Sequence, residues 1–131
     1  MAVTLETIAR DASCNAVVDL CDAGGAGTLE FKTAGGTSVK ANGQVCEMVL
    51  NSPAFGASST GVATLDVDPA IEDTNADGGT TTKAYFYNNA DAPLLTCSVG
   101  TSGEDINLTS VIIAAAETVT ITSLTYTVPA S

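Results

Sequence analysis

The stretch Thr118-Val-Thr-Ile-Thr-Ser-Leu-Thr-Tyr-Thr-Val128 contains two apolar patterns of period two. Its first half places Val119 and Ile121 on one face of a strand. The second half has the opposite parity, with a shared face formed by Leu124, Tyr126 and Val128. Because side chains alternate along a strand, this change of phase across Thr122-Ser123 predicts a β-bulge or a bend. Such a strand commonly spans both sheets of a sandwich, and the alternative is that one half pairs with a neighbouring subunit.

Further period-two runs lie upstream, each bounded by turn residues. The predicted strands are Thr28–Thr33, Gln44–Leu50, Gly61–Val67, Thr82–Asn88, Pro93–Val99 and Ile106–Ile113. Short strands at regular spacing are typical of an antiparallel fold. We therefore expect a mainly β protein, an antiparallel β-sandwich or jelly-roll-like domain over residues 28-129.

One N-terminal α-helix is predicted within about residues 4-22, before the stop at Gly24-Gly25. Apolar and small residues recur there at spacings of three and four: Leu5, Ile8, Ala9, Ala12, Ala16 and Leu20. The opposite side of the helix is apolar as well, and it carries Cys14, Val17, Val18 and Cys21. A helix that is apolar on two sides usually lies between two surfaces. We expect one to be the domain's own sheet and the other a partner, with residues 1-131 forming a single domain.

Composition restricts the possible partners. Fifteen acidic residues oppose Arg10, Lys32, Lys40 and Lys83, which gives a net charge of −11. Such a surface repels phosphate backbones and anionic membranes, so we expect neither nucleic acid nor a membrane as partner. Charges at Glu6, Arg10 and Asp11 interrupt any signal peptide, and we expect synthesis in a cytosol.

No catalytic residue is predicted. The chain has no His, which removes the Ser-His and Cys-His nucleophile pairs and the usual neutral-pH base. The paired acids Asp66/Asp68 and Glu104/Asp105 lie on strand ends or turns, without an aromatic sugar platform nearby in sequence. The residues therefore indicate a protein that is not an enzyme.

The loop Asp73-Thr-Asn-Ala-Asp-Gly78 reproduces the first half of a calcium loop. Oxygen ligands would come from Asp73, Asn75 and Asp77, and the glycine permits the sharp turn. The twelfth position, where a bidentate Glu is required, is Ala84, so a complete EF-hand is excluded. Two readings stay open: a looser calcium site that borrows a distant carboxylate, or a polar turn without a cofactor.

Four cysteines complete the candidate sites: Cys14, Cys21, Cys46 and Cys97. Their spacing does not match a zinc site. Cys14 and Cys21 lie about 10 Å apart along a helix, too far for a mutual disulfide. In a reducing cytosol they act as small buried apolar residues. Under oxidising conditions a helix cysteine could bridge to Cys46, to Cys97 or to another chain.

The C-terminal third resembles a family of small virion proteins of tailed bacteriophages. The similarity is carried by Cys97-Ser-Val-Gly-Thr-Ser-Gly-Glu-Asp-Ile-Asn-Leu108 and by the ending Val119-Thr-Ile-Thr-Ser-Leu-Thr-Tyr-Thr-Val-Pro-Ala130. Family members have a similar GSVGTSGADLNL turn and a VSITSFTYTMPA ending. Asn51-Ser-Pro-Ala-Phe-Gly56 and Gly61-Val-Ala-Thr64 are also similar. The chain departs at Cys97, and at Lys83-Ala-Tyr-Phe-Tyr87, where a Trp-containing strand is expected.

The resemblance implies a capsid decoration, or cement, protein on the exterior of the virion head. It implies the major capsid protein and copies of the chain itself, in a homotrimer, as partners. The candidate contact residues are Val17, Val18, Leu124, Tyr126 and Val128. The alternative is a tail- or fibre-associated protein that binds a host surface ligand with the help of calcium.

Overall fold

The computed structural model describes residues 3–128 and is mainly β, with one N-terminal helix and a β-sandwich-like arrangement of antiparallel-dominated sheets. The expected fold class is thus confirmed; residues 1, 2 and 129–131 lie outside the described part. Helix α1 spans Thr7–Val18 and continues as a 3-10 turn, Asp19–Asp22. The strands are β1 (Thr28–Lys32), β2 (Gln44–Val49), β3 (Val62–Thr64), β4 (Ile71–Asp73), β5 (Gly79–Thr80), β6 (Lys83–Tyr87), β7 (Pro93–Gly100), β8 (Ile106–Asn107), β9 (Ile112–Ile113), β10 (Val119–Ile121) and β11 (Thr125–Thr127).

The principal sheet has five strands in the order β2-β1-β6-β7-β8. Its first four strands pair antiparallel, and β8 joins β7 in parallel over two residue pairs. Three two-stranded sheets, β10-β4, β11-β3 and β5-β9, complete the described fold. Strand β1 therefore lies between two neighbours, whereas most of β7 is paired on one side only.

The bend predicted at Thr122-Ser123 is confirmed. Residues 122–124 interrupt the strand, so that β10 pairs with β4 and β11 pairs with β3. Both halves thus find strand partners within the chain. The predicted strand Ile106–Ile113 is also divided, into β8 and β9, and the short strands β4 and β5 were not predicted because two or three residues show no measurable period.

The core is shared by the helix, one face of the principal sheet and the small sheets β10-β4 and β11-β3. In β1 this face carries Leu29 and Phe31, both fully buried, and Phe86 of β6 packs beside them with its ring 6.1 Å from that of Phe55. The helix contributes Cys14, Val18 and Cys21. These apolar contacts supply the burial that fixes the register of the sheet.

The opposite face of β1 is polar yet equally buried. Glu30 and Lys32 are both 0 % exposed and form an ion pair of 3.1 Å. The loop of residues 33–43 covers them: Lys32 Nζ donates to the carbonyls of Val39 and Asn42, each at 2.9 Å, and the Ala41 N–H donates to Glu30 at 2.9 Å. A buried charge is tolerated only with such partners.

Lys40 extends this buried cluster towards solvent. Its ammonium lies 2.8 Å from Glu47, 3.2 Å from Asp91 and 3.5 Å from Glu30. Burial alone would lower the pKa of Lys40, but the hydrogen bonds to Glu47 and Asp91 outweigh it and hold the pKa above its usual value. The rings of Tyr85 and Tyr87 lie about 5.5 Å from Lys32 Nζ, within the range of cation–π attraction.

Replacing Lys32 by Met tests the cluster. The variant leaves Glu30 buried without its closest cation and removes two bonds to the covering loop, so the free energy of unfolding should fall by about 3–5 kcal/mol. Lys83→Met is the matched control, because Lys83 faces Lys32 in register but is partly exposed. Urea denaturation measures both, and equal losses would contradict the role given to Lys32.

Candidate functional site

Helix α1 has one buried and one exposed apolar side. Cys14, Val18 and Cys21 point into the core, whereas Ile8 is 86 % and Leu20 is 48 % exposed. At 100° per residue, the exposed residues of that side form one stripe, which we call the helix stripe: Ile8, Ala9, Ala12, Ala16 and Leu20. The rest of the domain therefore covers one side of the helix only, and the helix stripe is exposed in the described fold. A partner on the other side stays a prediction.

Local contacts hold the helix in this orientation. The Asp11 carboxylate accepts bonds from the Ser58 hydroxyl (2.9 Å) and the Gly61 N–H (2.7 Å), while Asn15 accepts one from the Ser58 N–H (2.8 Å). Arg10 donates to the Val128 carbonyl at 3.2 Å. Polar residues beside the buried face thus dock the helix on the loop before β3 and on the end of β11.

Two of the predicted contact residues lie in the core of the chain. Val18 is 1 % and Val128 is 8 % exposed, and contact of another molecule with them stays a prediction. Val18 lies in the core because the helix docks through its valine and cysteine side. Val17, Leu124 and Tyr126 are half-buried, and contact through them stays a prediction. The exposed stripe was recognised as apolar in the sequence, but only the docked helix shows which side is free.

A groove runs beside the bent C-terminal strand. Three adjoining cavities of 260 to 320 Å³ share lining residues and follow β10 and β11 from Glu117 to Thr127. The facing wall comes from Leu95–Cys97 of β7 and from residues 105–110 around β8. Each cavity lies near or below the small end of ligand pockets, so the shape suits an extended chain better than a compact cofactor. This groove was not predicted.

The four cysteines are free thiols, three of them fully buried and Cys97 partly exposed. Burial is the largest cause that raises the pKa values of three of these thiols, and nearby carboxylates add to it. The pKa is about 11 for Cys21 and Cys97 and about 12 for Cys46. Protonated thiols are poor nucleophiles, which fits the expected role of small buried apolar residues. A disulfide under oxidising conditions stays a prediction.

The Asp73–Gly78 loop is held by the protein's own donors. Asp73 accepts bonds from the N–H groups of Asn75 (2.9 Å) and Glu47 (3.0 Å), and Asp77 accepts one from the Gln44 side chain (2.7 Å). In residues 3–128, His, Cys, Asp and Glu do not form a group of three that could hold a metal. Calcium binding by Asp73, Asn75 and Asp77 stays a prediction.

Comparison with family models, with curated proteins and with solved structures gave no match. Within the described residues no helix is sufficiently long and apolar to cross a membrane.

Thiol labelling tests the placement of the cysteines. In the unfolded chain these thiols ionise near pH 8.5, whereas in the folded protein Cys21, Cys46 and Cys97 stay protonated up to about pH 11 or 12. Iodoacetamide at pH 7.5 should therefore modify the native protein at least tenfold more slowly than the urea-unfolded protein, with Cys97 first. The same shifts stabilise the fold below pH 8.5, and this contribution is lost as the pH rises towards 11. Rapid native labelling of Cys46 would contradict this placement.

Thermal unfolding in calcium chloride and in EDTA tests the loop. A bound ion raises the melting temperature by mass action, and Asp77→Asn should remove that increase because it removes one charged ligand. Asp68→Asn is the control, since Asp68 is exposed and lies outside the loop. Equal melting temperatures in both solutions would reject the calcium site.

Proposed function

We propose that this chain is a non-enzymatic structural protein of a tailed-bacteriophage virion, a capsid decoration protein that binds the outer surface of the major capsid protein lattice. The observation that carries the proposal is the helix stripe. An isoleucine that is 86 % exposed, followed by small residues along the same side of a docked helix, supports the proposal of a surface for another protein. The proposal that this other protein is the major capsid protein rests on the sequence resemblance.

The chemistry of the stripe suits adhesion. Small alanine side chains allow a partner to approach the helix closely, and Ile8 at one end and Leu20 at the other supply the larger apolar area. Burying a side chain of that size contributes about 1.5–3 kcal/mol. Many copies on one lattice would add such contributions over the whole particle, which is how a small protein stabilises a shell.

The charge distribution supports a position on the exterior. The net charge is −11, and two of the four basic residues, Lys32 and Lys40, are engaged in the buried cluster. The outer surface is therefore strongly acidic, and like charges on neighbouring particles keep them apart. In this proposal three copies form a homotrimer on the lattice after synthesis in the host cytoplasm.

Replacing Ile8 by Asp tests the stripe. The charge prevents burial of this position against the capsid, so binding of the purified chain to particles that lack it should weaken at least tenfold, the equivalent of about 1.4 kcal/mol. Thr7→Asp is the matched control: it adds the same charge at the adjacent exposed residue, about 100° around the helix. Sedimentation with particles measures both, and equal affinities would remove the stripe from the interface.

Cryo-electron microscopy of the purified virion tests the assignment to the head. We expect density of this chain on the outer surface of the capsid, in groups of three, with α1 facing the shell. Density confined to the tail, or none on the head, would overturn the proposal.

A further inference from the structure

The groove described above has an unpaired strand edge on one wall. In β7, the Val99 N–H donates to Thr82 of the β6 side at 3.1 Å, whereas the Ser98 N–H points the other way, to the Asp105 carboxylate at 2.9 Å. Backbone N–H and C=O groups alternate in direction along a strand. The N–H and C=O of Thr96 therefore point in the same direction as those of Ser98, away from β6. β8 pairs with β7 only at Val99 and Gly100. Among residues 3–128, the backbone N–H and C=O of Thr96 therefore face the groove without a strand partner.

The opposite wall presents a second open edge. In β11, the Val128 N–H donates to Gly61 at 2.8 Å and the Leu124 carbonyl accepts from Leu65 at 2.8 Å, both towards β3. By the same alternation, the backbone groups of Thr125 and Thr127 point away from β3. One cavity is lined by Leu95–Cys97 on one side and Leu124–Thr127 on the other. Two strand edges thus border one groove and do not pair with each other in the described fold.

The floor of the cavity between β7 and β11 is apolar. Ile106 is 6 % exposed, and Leu95, Leu124 and Tyr126 are half-buried against the core. A strand entering the groove would direct every second side chain onto this floor and the others to solvent. Apolar residues at alternate positions are therefore required of any occupant.

The charges around the groove are of one sign. Asp105 and Glu117 line it, Glu104 lies beside Asp105, and Glu72 lies behind Thr120 at 3.4 Å. No Lys or Arg is among the lining residues, since Lys32, Lys40 and Lys83 lie on the polar face of the principal sheet and Arg10 lies on the helix. A second copy of this chain, which carries the same acidic excess, is a poor electrostatic match for such a rim.

We propose that the groove between β7 and β11 binds an extended, basic segment of a different protein by β-strand addition. The segment pairs with the backbone of Thr96, lies against the edge of β11, and places alternate apolar residues on the floor. Lysine or arginine at one of its ends meets Glu104 and Asp105. Strand addition obtains affinity from main-chain hydrogen bonds and specificity from alternate side chains, and both elements are present here.

Binding of synthetic peptides tests this proposal. The probe is a capped peptide of sequence KTVTVTVK, and its two controls are ETVTVTVE, which reverses the end charges, and KTVTPTVK, which interrupts the strand. We expect binding of the first peptide in low salt, at least tenfold weaker binding of each control, and weakening of the first as salt rises. Fluorescence anisotropy measures all three.

A protein variant tests the same site independently. Thr96→Pro removes the N–H that faces the groove and no hydrogen bond to β6, and it should weaken binding of KTVTVTVK at least tenfold. Thr96→Val keeps the backbone donor and should bind as the native protein does. In case the proline variant fails to fold, hydrogen exchange of the native protein gives the second measurement. The peptide should slow exchange of the Thr96, Thr125 and Thr127 amides and leave that of exposed Thr109 unchanged.

Three results would overturn the proposal. Equal binding of KTVTVTVK and KTVTPTVK would show attraction by charge alone. Unchanged exchange at Thr96 would place the peptide elsewhere. Dimers in analytical ultracentrifugation that disappear in Thr96→Pro would identify a second copy, not a basic partner, as the occupant. None of these results depends on capsid binding through the helix stripe, so the two proposals fail separately.

Discussion

Burial of β1 on both faces is the constraint on which the rest of this structure depends. One face meets the apolar core through Leu29 and Phe31, and the other carries Glu30 and Lys32 into a site without water access. An unpartnered charge there would cost several kcal/mol, so the loop of residues 33–43 has to fold back and supply its carbonyls and an N–H. The loop, the aromatic pair Tyr85 and Tyr87, and Lys40 are arranged around that requirement.

This arrangement also determines which surfaces are left for other molecules. With β2 and β6 on either side of β1 and a loop over its polar face, the principal sheet cannot accept anything near its centre. Most of β7, on the far side from β2, is paired on one side only, and the helix lies against β3 and β11. The helix stripe and the groove are consequently at the periphery of the domain, where a binding partner can reach them without disturbing the core.

The bent C-terminal strand connects these regions. Its first half pairs with β4 and its second half with β3, and the bend at residues 122–124 borders the groove. Each half pairs with one strand inside the chain, and the backbone groups of Thr125 and Thr127 in β11 point away from β3, towards the groove. The strand that closes two small sheets thus also forms one wall of the groove.

The sequence by itself determined the elements that rest on periodicity: the helix, the longer strands, the mainly β class, and the change of phase at Thr122-Ser123. These follow from local alternation, which the residues record directly. Only the tertiary structure decided that Val18 and Val128 belong to the core while Ile8 is exposed, since both sides of the helix are apolar in sequence. It also decided that Glu30 and Lys32, which alternate like solvent-facing residues, are buried, and that β7 and β11 border one groove. Such outcomes depend on which distant segment covers a face, and local pattern does not encode the position of that segment.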